Sequence, residues 1–157
     1  MSHPIAVIDF ETTGISPGQG ARATEVAIVL LEGGQVVDRF QSLMKTGAWI
    51  PPFITQLTGI TNAMVNAAPD AAGVMQESAR FVGNAPMVAH NASFDSKFWQ
   101  AELQLADVPA PQPFACTVLL SRRPYPDAPT HTLGPLVQHL GLPRAERAHR
   151  ALADAEM

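Results

Sequence analysis

Residues 6–14 read AVIDFETTG, an apolar run that ends by placing two carboxylates, Asp9 and Glu11, two positions apart. In a strand, residues i and i+2 share a face at a spacing of about 6–7 Å, so both acids point the same way from the strand's C-terminal end. Two like charges aimed together from an otherwise buried strand are costly unless something positive sits between them. Folding alone gives no reason for the pair.

Outward from this stretch, Ile5–Phe10 reads as a buried strand and GISPGQGAR as a loop. Glu25–Leu31 and Gln35–Leu43 form a hairpin around Gly33-Gly34. The pattern predicts a helix over Ala71–Val82, then a short strand, Pro86–His90, running into NASF, where Asn91 or Ser93 caps the next helix. In that helix Phe94, Phe98, Ala101 and Leu105 are expected to face the core, with Asp95 beside that face in the first turn. Phe114–Val118 is expected to be a last strand. Leu133, Leu136, Val137 and Leu140 then form a helical stripe ended by Gly141, with Pro135 tolerated in the first turn. A hairpin group followed by alternating strands and helices predicts an α/β layer structure, a mixed five-stranded sheet flanked by helices.

With 157 residues, 46% of them hydrophobic and 15% charged, the chain suits one domain, 1–157, with a real core. No apolar run approaches the ~20 residues of a membrane span and no export signal is evident, so a cytoplasmic location and no membrane partner are expected. Cys116 is the single cysteine and reads as a buried thiol. A net charge of −4 argues against broad electrostatic binding of nucleic acid. Positive charge is nonetheless concentrated late in the chain, at Arg122 and Arg123 and at Arg144, Arg147 and Arg150. These arginines read equally as a solvated helix edge or as phosphate contacts.

Two further acids stand in similar positions. Asp95 follows a short strand, and Asp154 in HRALADAEM lies at the edge of the stripe Ala148, Ala151, Leu152, Ala155. Singly, each acid is also explained as a surface or helix-end charge; together they form an oxygen-rich site suited to Mg²⁺ or Mn²⁺. Two such ions about 3.5–4 Å apart are the usual arrangement for phosphodiester cleavage, and they would cancel the four carboxylate charges and admit a phosphate. His149 precedes Asp154 by five residues, about 140° around a helix, so it is expected in the turn before that helix. From there it suits a general base for the attacking water. A lone histidine more commonly caps or lines a helix start, and His131 and His139 are read that way.

DFETTG (Asp9–Gly14), HNASFD (His90–Asp95) and HRALAD (His149–Asp154) together resemble the three motifs of the DEDDh, or DnaQ-like, 3′-to-5′ exonucleases, the group of the bacterial DNA polymerase III epsilon subunit. LTGIT (Leu57–Thr61), CTVLLSRR (Cys116–Arg123) and HTLGPLVQHLGL resemble the intervening segments. The resemblance implies an RNase H-like fold and two-metal hydrolysis releasing nucleoside 5′-monophosphates from 3′ ends of single-stranded nucleic acid, DNA favoured, with a polymerase subunit as a partner. It assigns Asp9, Glu11 and Asp154 to one metal, Asp9 and Asp95 to the other, and His149 to the base. Thr12, Thr13 and Gly14 would contact the terminal nucleotide and Leu57 would wedge the last bases. Phe94 would wall the pocket, with His90, Asn91, Arg147 and Arg150 as further substrate contacts. The resemblance also implies a last helix continuing past Met157, so that the helix is truncated here. The competing readings are an exoribonuclease on short RNA or tRNA ends, a non-catalytic polymerase-docking module and a two-metal phosphomonoesterase.

Overall fold

The computed structural model describes residues 3–143 and 149–157. Strand β1 (Ile5–Thr12) is central in a five-stranded sheet ordered β3-β2-β1-β4-β5. It pairs antiparallel with β2 (Ala23–Glu32), which pairs antiparallel with β3 (Gln35–Leu43) across Gly33-Gly34. Both glycines have positive φ, 59° and 78°, which a two-residue hairpin turn requires. On its other edge β1 runs parallel to β4 (Met87–Ala89), and β4 parallel to β5 (Phe114–Cys116). The mixed five-stranded sheet is as expected.

Seven α-helices occur among the described residues: α1 (Pro52–Thr58), α2 (Asn62–Asn66), α3 (Ala71–Val82), α4 (Ala92–Leu105), α5 (Thr117–Ser121), α6 (Leu133–His139) and α7 (Ala151–Glu156). Alternation along β1 divides its side chains between two faces. Ala6, Ile8 and Phe10 join Met75 of α3 and Phe98, Trp99 and Leu103 of α4 in the main core. Val7 faces the other way, with Ala27 and Val29 of β2 against Ala151 and Ala155 of α7. Asp9 and Glu11 continue that second face, which brings them under α7.

Four local expectations are corrected. The run Phe114–Val118 stays extended only to Cys116, and Thr117–Ser121 turns helical. Leu105 is exposed; the buried face of α4 is instead Ala92, Asp95, Phe98, Trp99, Glu102 and Leu103. The reason is that Glu102, though charged, is neutralised inside: it accepts two hydrogen bonds from the Arg22 guanidinium, at 2.9 and 3.0 Å, and one from Ala23 N–H. Neither Asn91 nor Ser93 caps α4 through its side chain. Asn91 occupies the cap position with φ 65°, and its Oδ1 accepts from Ser93 Oγ. Cys116 is half-buried, with its sulfur accepting from Ala92 N–H at 3.4 Å.

Phe98 is fully buried between Phe10 and Phe94, with ring centroids at 6.4 and 4.9 Å. Phe98→Ala is expected to cost about 3–5 kcal/mol, read as a lower urea midpoint. Because Asp95 sits one turn earlier on the same helix, the same variant is expected to weaken cation-induced stabilisation.

Candidate active site

Asp9, Glu11 and Asp154 each present a carboxylate oxygen, and these oxygens lie within 4.8 Å of one another. The first two come from alternate positions of β1 and the third from α7. Asp95 stands outside this triangle, at the start of α4, with Oδ1 accepting from Phe10 N–H at 3.0 Å. The arrangement follows from strand lengths. Ala6 N–H donates to Pro86 O on the β4 side, and four residues on, where β4 has ended, Phe10 N–H finds the Asp95 carboxylate instead. Asp95 is 2% exposed and is still near enough to act electrostatically on Asp9.

Crowding of these acids moves their protonation. Burial, then Asp95, Glu11 and Asp154, push the Asp9 carboxyl well above the usual range. Burial and Asp154 raise Glu11 to about 8, and burial raises Asp95 to about 7. Asp154 is also raised, chiefly by burial, although the His149 N–H opposes the shift. Among the described residues, Asp9 Oδ2 is buried without a hydrogen-bond partner. An orphaned carboxylate oxygen inside an all-oxygen cluster suits a hard divalent cation, which would satisfy it and cancel the repulsion.

Sequence reasoning passed over Glu25. It lies on β2 directly opposite Glu11 of β1, beside a register shift at Glu11/Thr12, and is 1% exposed. Its charge is met by Arg150, whose Nε and terminal nitrogen donate at 3.2 and 2.7 Å, by Ala151 N–H at 2.8 Å and by Gln41 Nε2 at 3.1 Å. Glu25 thereby holds the first turn of α7 against β2 and sets where Asp154 points. The available signal was the pairing register, which puts Glu25 opposite Glu11 once the hairpin is aligned. Arg150 is consequently committed to an internal ion pair rather than left open to solvent. Arg147 lies outside the described residues.

His149 is exposed and immediately precedes Arg150, the residue before α7, in the turn expected for it. Its backbone is left-handed, φ 60°, and its N–H donates to both Asp154 oxygens at 3.3 and 3.1 Å. Positive φ in a non-glycine residue carries strain and is a conformation concentrated at functional sites. Here the Asp154 contacts maintain it.

The remaining candidates are placed variously. Thr12 Oγ1 donates to Gly14 O at 2.7 Å, and Thr13 Oγ1 accepts from Arg22 N–H at 3.0 Å, which fixes the end of β1. A Cβ added at Gly14 would meet Ala21 Cβ at 3.2 Å. Phe94 is half-buried against Phe98, and Leu57 is exposed on α1. Both His90 ring nitrogens are engaged: Nε2–H donates to His131 O at 2.6 Å, and Nδ1 accepts from Thr117 Oγ1 at 2.8 Å. Burial lowers its pKa, in keeping with a neutral ring. His131 in turn contacts Ser121 Oγ at 2.8 Å, so these two histidines tie α5 and the following loop to β4.

Residues 6–157 match the RNase_T exonuclease family. The chain belongs to this family of exonucleases. Among its relatives are a 3′-5′ exonuclease DinG of Bacillus subtilis, 40% identical over 155 residues, covering 96% of this chain and 16% of that protein. A PolC-type DNA polymerase III of Oceanobacillus iheyensis is 39% identical over 151 residues, covering 96% and 10%. The chain thus spans less than a fifth of the length of these relatives. Exonuclease X, solved in complex with 5′ overhanging duplex DNA, superposes with a TM-score of 0.76 at 29% identity, covering 96% of this chain and 84% of that one. The nuclease domain of 3′hExo, a DEDDh family member, superposes at 0.85 with 22% identity, covering 99% and 87%, and shares the fold. The RNase H-like expectation holds.

Two outcomes test the electrostatics. Glu11 folded titrates near 8 and unfolded near 4.5, so the folded state binds the extra proton; its contribution falls as pH rises between those values. Glu11→Gln is expected to raise the melting temperature in chelator by a few degrees at pH 8, with the gain vanishing toward pH 4, as followed by calorimetry. Arg150→Met leaves Glu25 buried and unpaired and is expected to cost about 3 kcal/mol or more in urea unfolding.

Proposed function

We propose that this chain is a 3′-to-5′ exonuclease that removes nucleoside 5′-monophosphates from single-stranded nucleic-acid ends, DNA in preference to RNA. The observation that carries the reading is the convergence of Asp9, Glu11 and Asp154 within 4.8 Å, with one Asp9 oxygen buried and unpartnered among the described residues. Family membership supports it. The names of the relatives, a 3′-5′ exonuclease and a DNA polymerase, support the direction and the substrate, and make a polymerase subunit the partner to look for. Residues 1–157 act as one exonuclease unit, in the cytoplasm; no helix among the described residues is long and apolar enough to cross a membrane.

Asp9, Glu11 and Asp154 would hold one divalent cation, and Asp9 with Asp95 a second. Such ions, Mg²⁺ or Mn²⁺, supply activation of the attacking water and stabilise the charge that develops on the scissile phosphate. His149 takes the proton from that water. Its place in a turn ahead of α7 lets the imidazole reach the reacting centre while its backbone stays anchored on Asp154. Thr12, Thr13 and Gly14 form the floor under the terminal nucleotide, Phe94 and Leu57 border it, and Asn91 lines the approach, while Arg150 acts through its ion pair with Glu25. His90 contributes by bracing that wall.

The test uses 5′-labelled and 3′-labelled single strands of DNA and RNA with Mg²⁺ or Mn²⁺. Stepwise shortening from the 3′ end is expected, faster on DNA and abolished by chelator. Asp9→Ala is expected to remove activity, and His149→Ala to lower kcat by about 10²–10⁴-fold with cation binding by calorimetry retained. Shortening in excess chelator would overturn the metal mechanism. Release of inorganic phosphate from mononucleotides without shortening would make the chain a phosphomonoesterase, and binding without cleavage a docking module.

A further inference from the structure

Three large apolar side chains stand exposed at intervals of four: Trp49 at 67%, Phe53 at 66% and Leu57 at 52%. Their exposure is enforced by what lies beneath. Asn62 brackets Ile50, accepting from its N–H at 2.8 Å and donating to its carbonyl at 3.1 Å. This draws Ile50 into a small core with Ile60, Val65, Leu43 and Ile54. Trp49, the residue before Ile50, is left outside. On α1 the inward positions are Ile54 and the buried Thr58, whose Oγ1 donates to Ile54 O, so Phe53 and Leu57 share the outward face.

Sheet register locates this shoulder. Glu11 pairs with Glu25, and Glu25 with Leu43, so Leu43 lies two strand spacings, roughly 10 Å, across the sheet from Glu11. Leu43 packs in the small core that seats α1, which puts α1 at the acid-bearing end of the sheet. Charge is missing here: from Thr46 to Pro69 the sequence contains no Asp, Glu, Lys, Arg or His. Near the acids, Arg22 and Arg150 are committed to Glu102 and Glu25. Within residues 46–69 a strand running along α1 therefore meets neither a charged phosphate partner nor repulsion, and the grip available on that segment is on the bases.

We propose that Trp49 and Phe53, together with Leu57, form a stacking platform for the bases of the single strand whose end lies at Asp9 and Glu11. The proposal rests on the nuclease reading and adds to it how this chain, with a net charge of −4, retains its substrate. Aromatic faces accept any base, so binding is indifferent to sequence and depends weakly on salt.

The second tryptophan makes the test direct. Trp99 is fully buried and donates to Gln112, so a fluorescence change on titration reports Trp49. With EDTA present to prevent turnover, oligothymidylate is expected to quench wild-type emission saturably and to leave Trp49→Phe emission nearly unchanged. Trp49→Ala and Phe53→Ala are each expected to raise KM on a long single strand roughly 5- to 100-fold, with kcat within about twofold and unfolding midpoints unaltered. Cleavage by the wild type without quenching, and with KM unchanged in both variants, overturns the platform and leaves the nuclease reading standing. Saturable quenching without cleavage does the reverse. Loss of self-association in Trp49→Ala with strand binding intact assigns the face to a second copy of the chain and also overturns the platform.

Discussion

Repulsion among carboxylates at one end of β1 is the constraint on which the rest of the structure depends. Asp9, Glu11, Asp95 and Asp154 arrive from one strand and two helices, and each is raised in pKa by burial among the others. Such a cluster persists only if its members are tethered by something stronger than their mutual push. The tethers are unlike one another. Asp9 and Glu11 ride on a central strand paired on both edges; Asp95 is held by a backbone N–H of that strand. Asp154 is held indirectly, through α7's grip on Glu25. The fold thus stores destabilisation at this point and covers it with the apolar burial of Phe98, Trp99 and Leu103 behind the sheet.

Much of this was legible in the sequence because the governing patterns are local. Alternation fixes the common face of Asp9 and Glu11 regardless of what surrounds the strand, and the boundaries of Ala71–Val82 follow from a short periodic segment closed by Gly83. The turn placement of His149 followed from an angle on a helix. What escaped was set by tertiary neutralisation. Glu102 and Glu25 look like solvent residues in one dimension, yet each is buried against an arginine distant in sequence. The stripe Phe94, Phe98, Ala101, Leu105 put Leu105 inside, where the structure buries the charged Glu102 instead. Arg150, near the histidine in sequence, resembled a phosphate contact for the same reason. The partner that engages it lies on β2, over a hundred residues earlier.

Histidine usage divides along similar lines. His90 engages both ring nitrogens inside the protein, and His131 its Nδ1 and its carbonyl oxygen, which stiffens the wall beside α4. His149 keeps its ring outside any such network among the described residues, and its main chain is tied to the acid it accompanies. Two imidazoles within motifs of similar appearance therefore do different work.

The brevity of β4 acquires a meaning from the Asp95 contact. Phe10 N–H projects toward the lane that β4 vacates after Ala89, and a side-chain oxygen fills the vacancy. Were β4 two residues longer, its own carbonyl would occupy that lane and the α4 carboxylate would be displaced from the cluster. Strand length here acts as a gauge: the sheet must stop short on one side of β1 so that an acid, in place of a peptide group, completes the ladder.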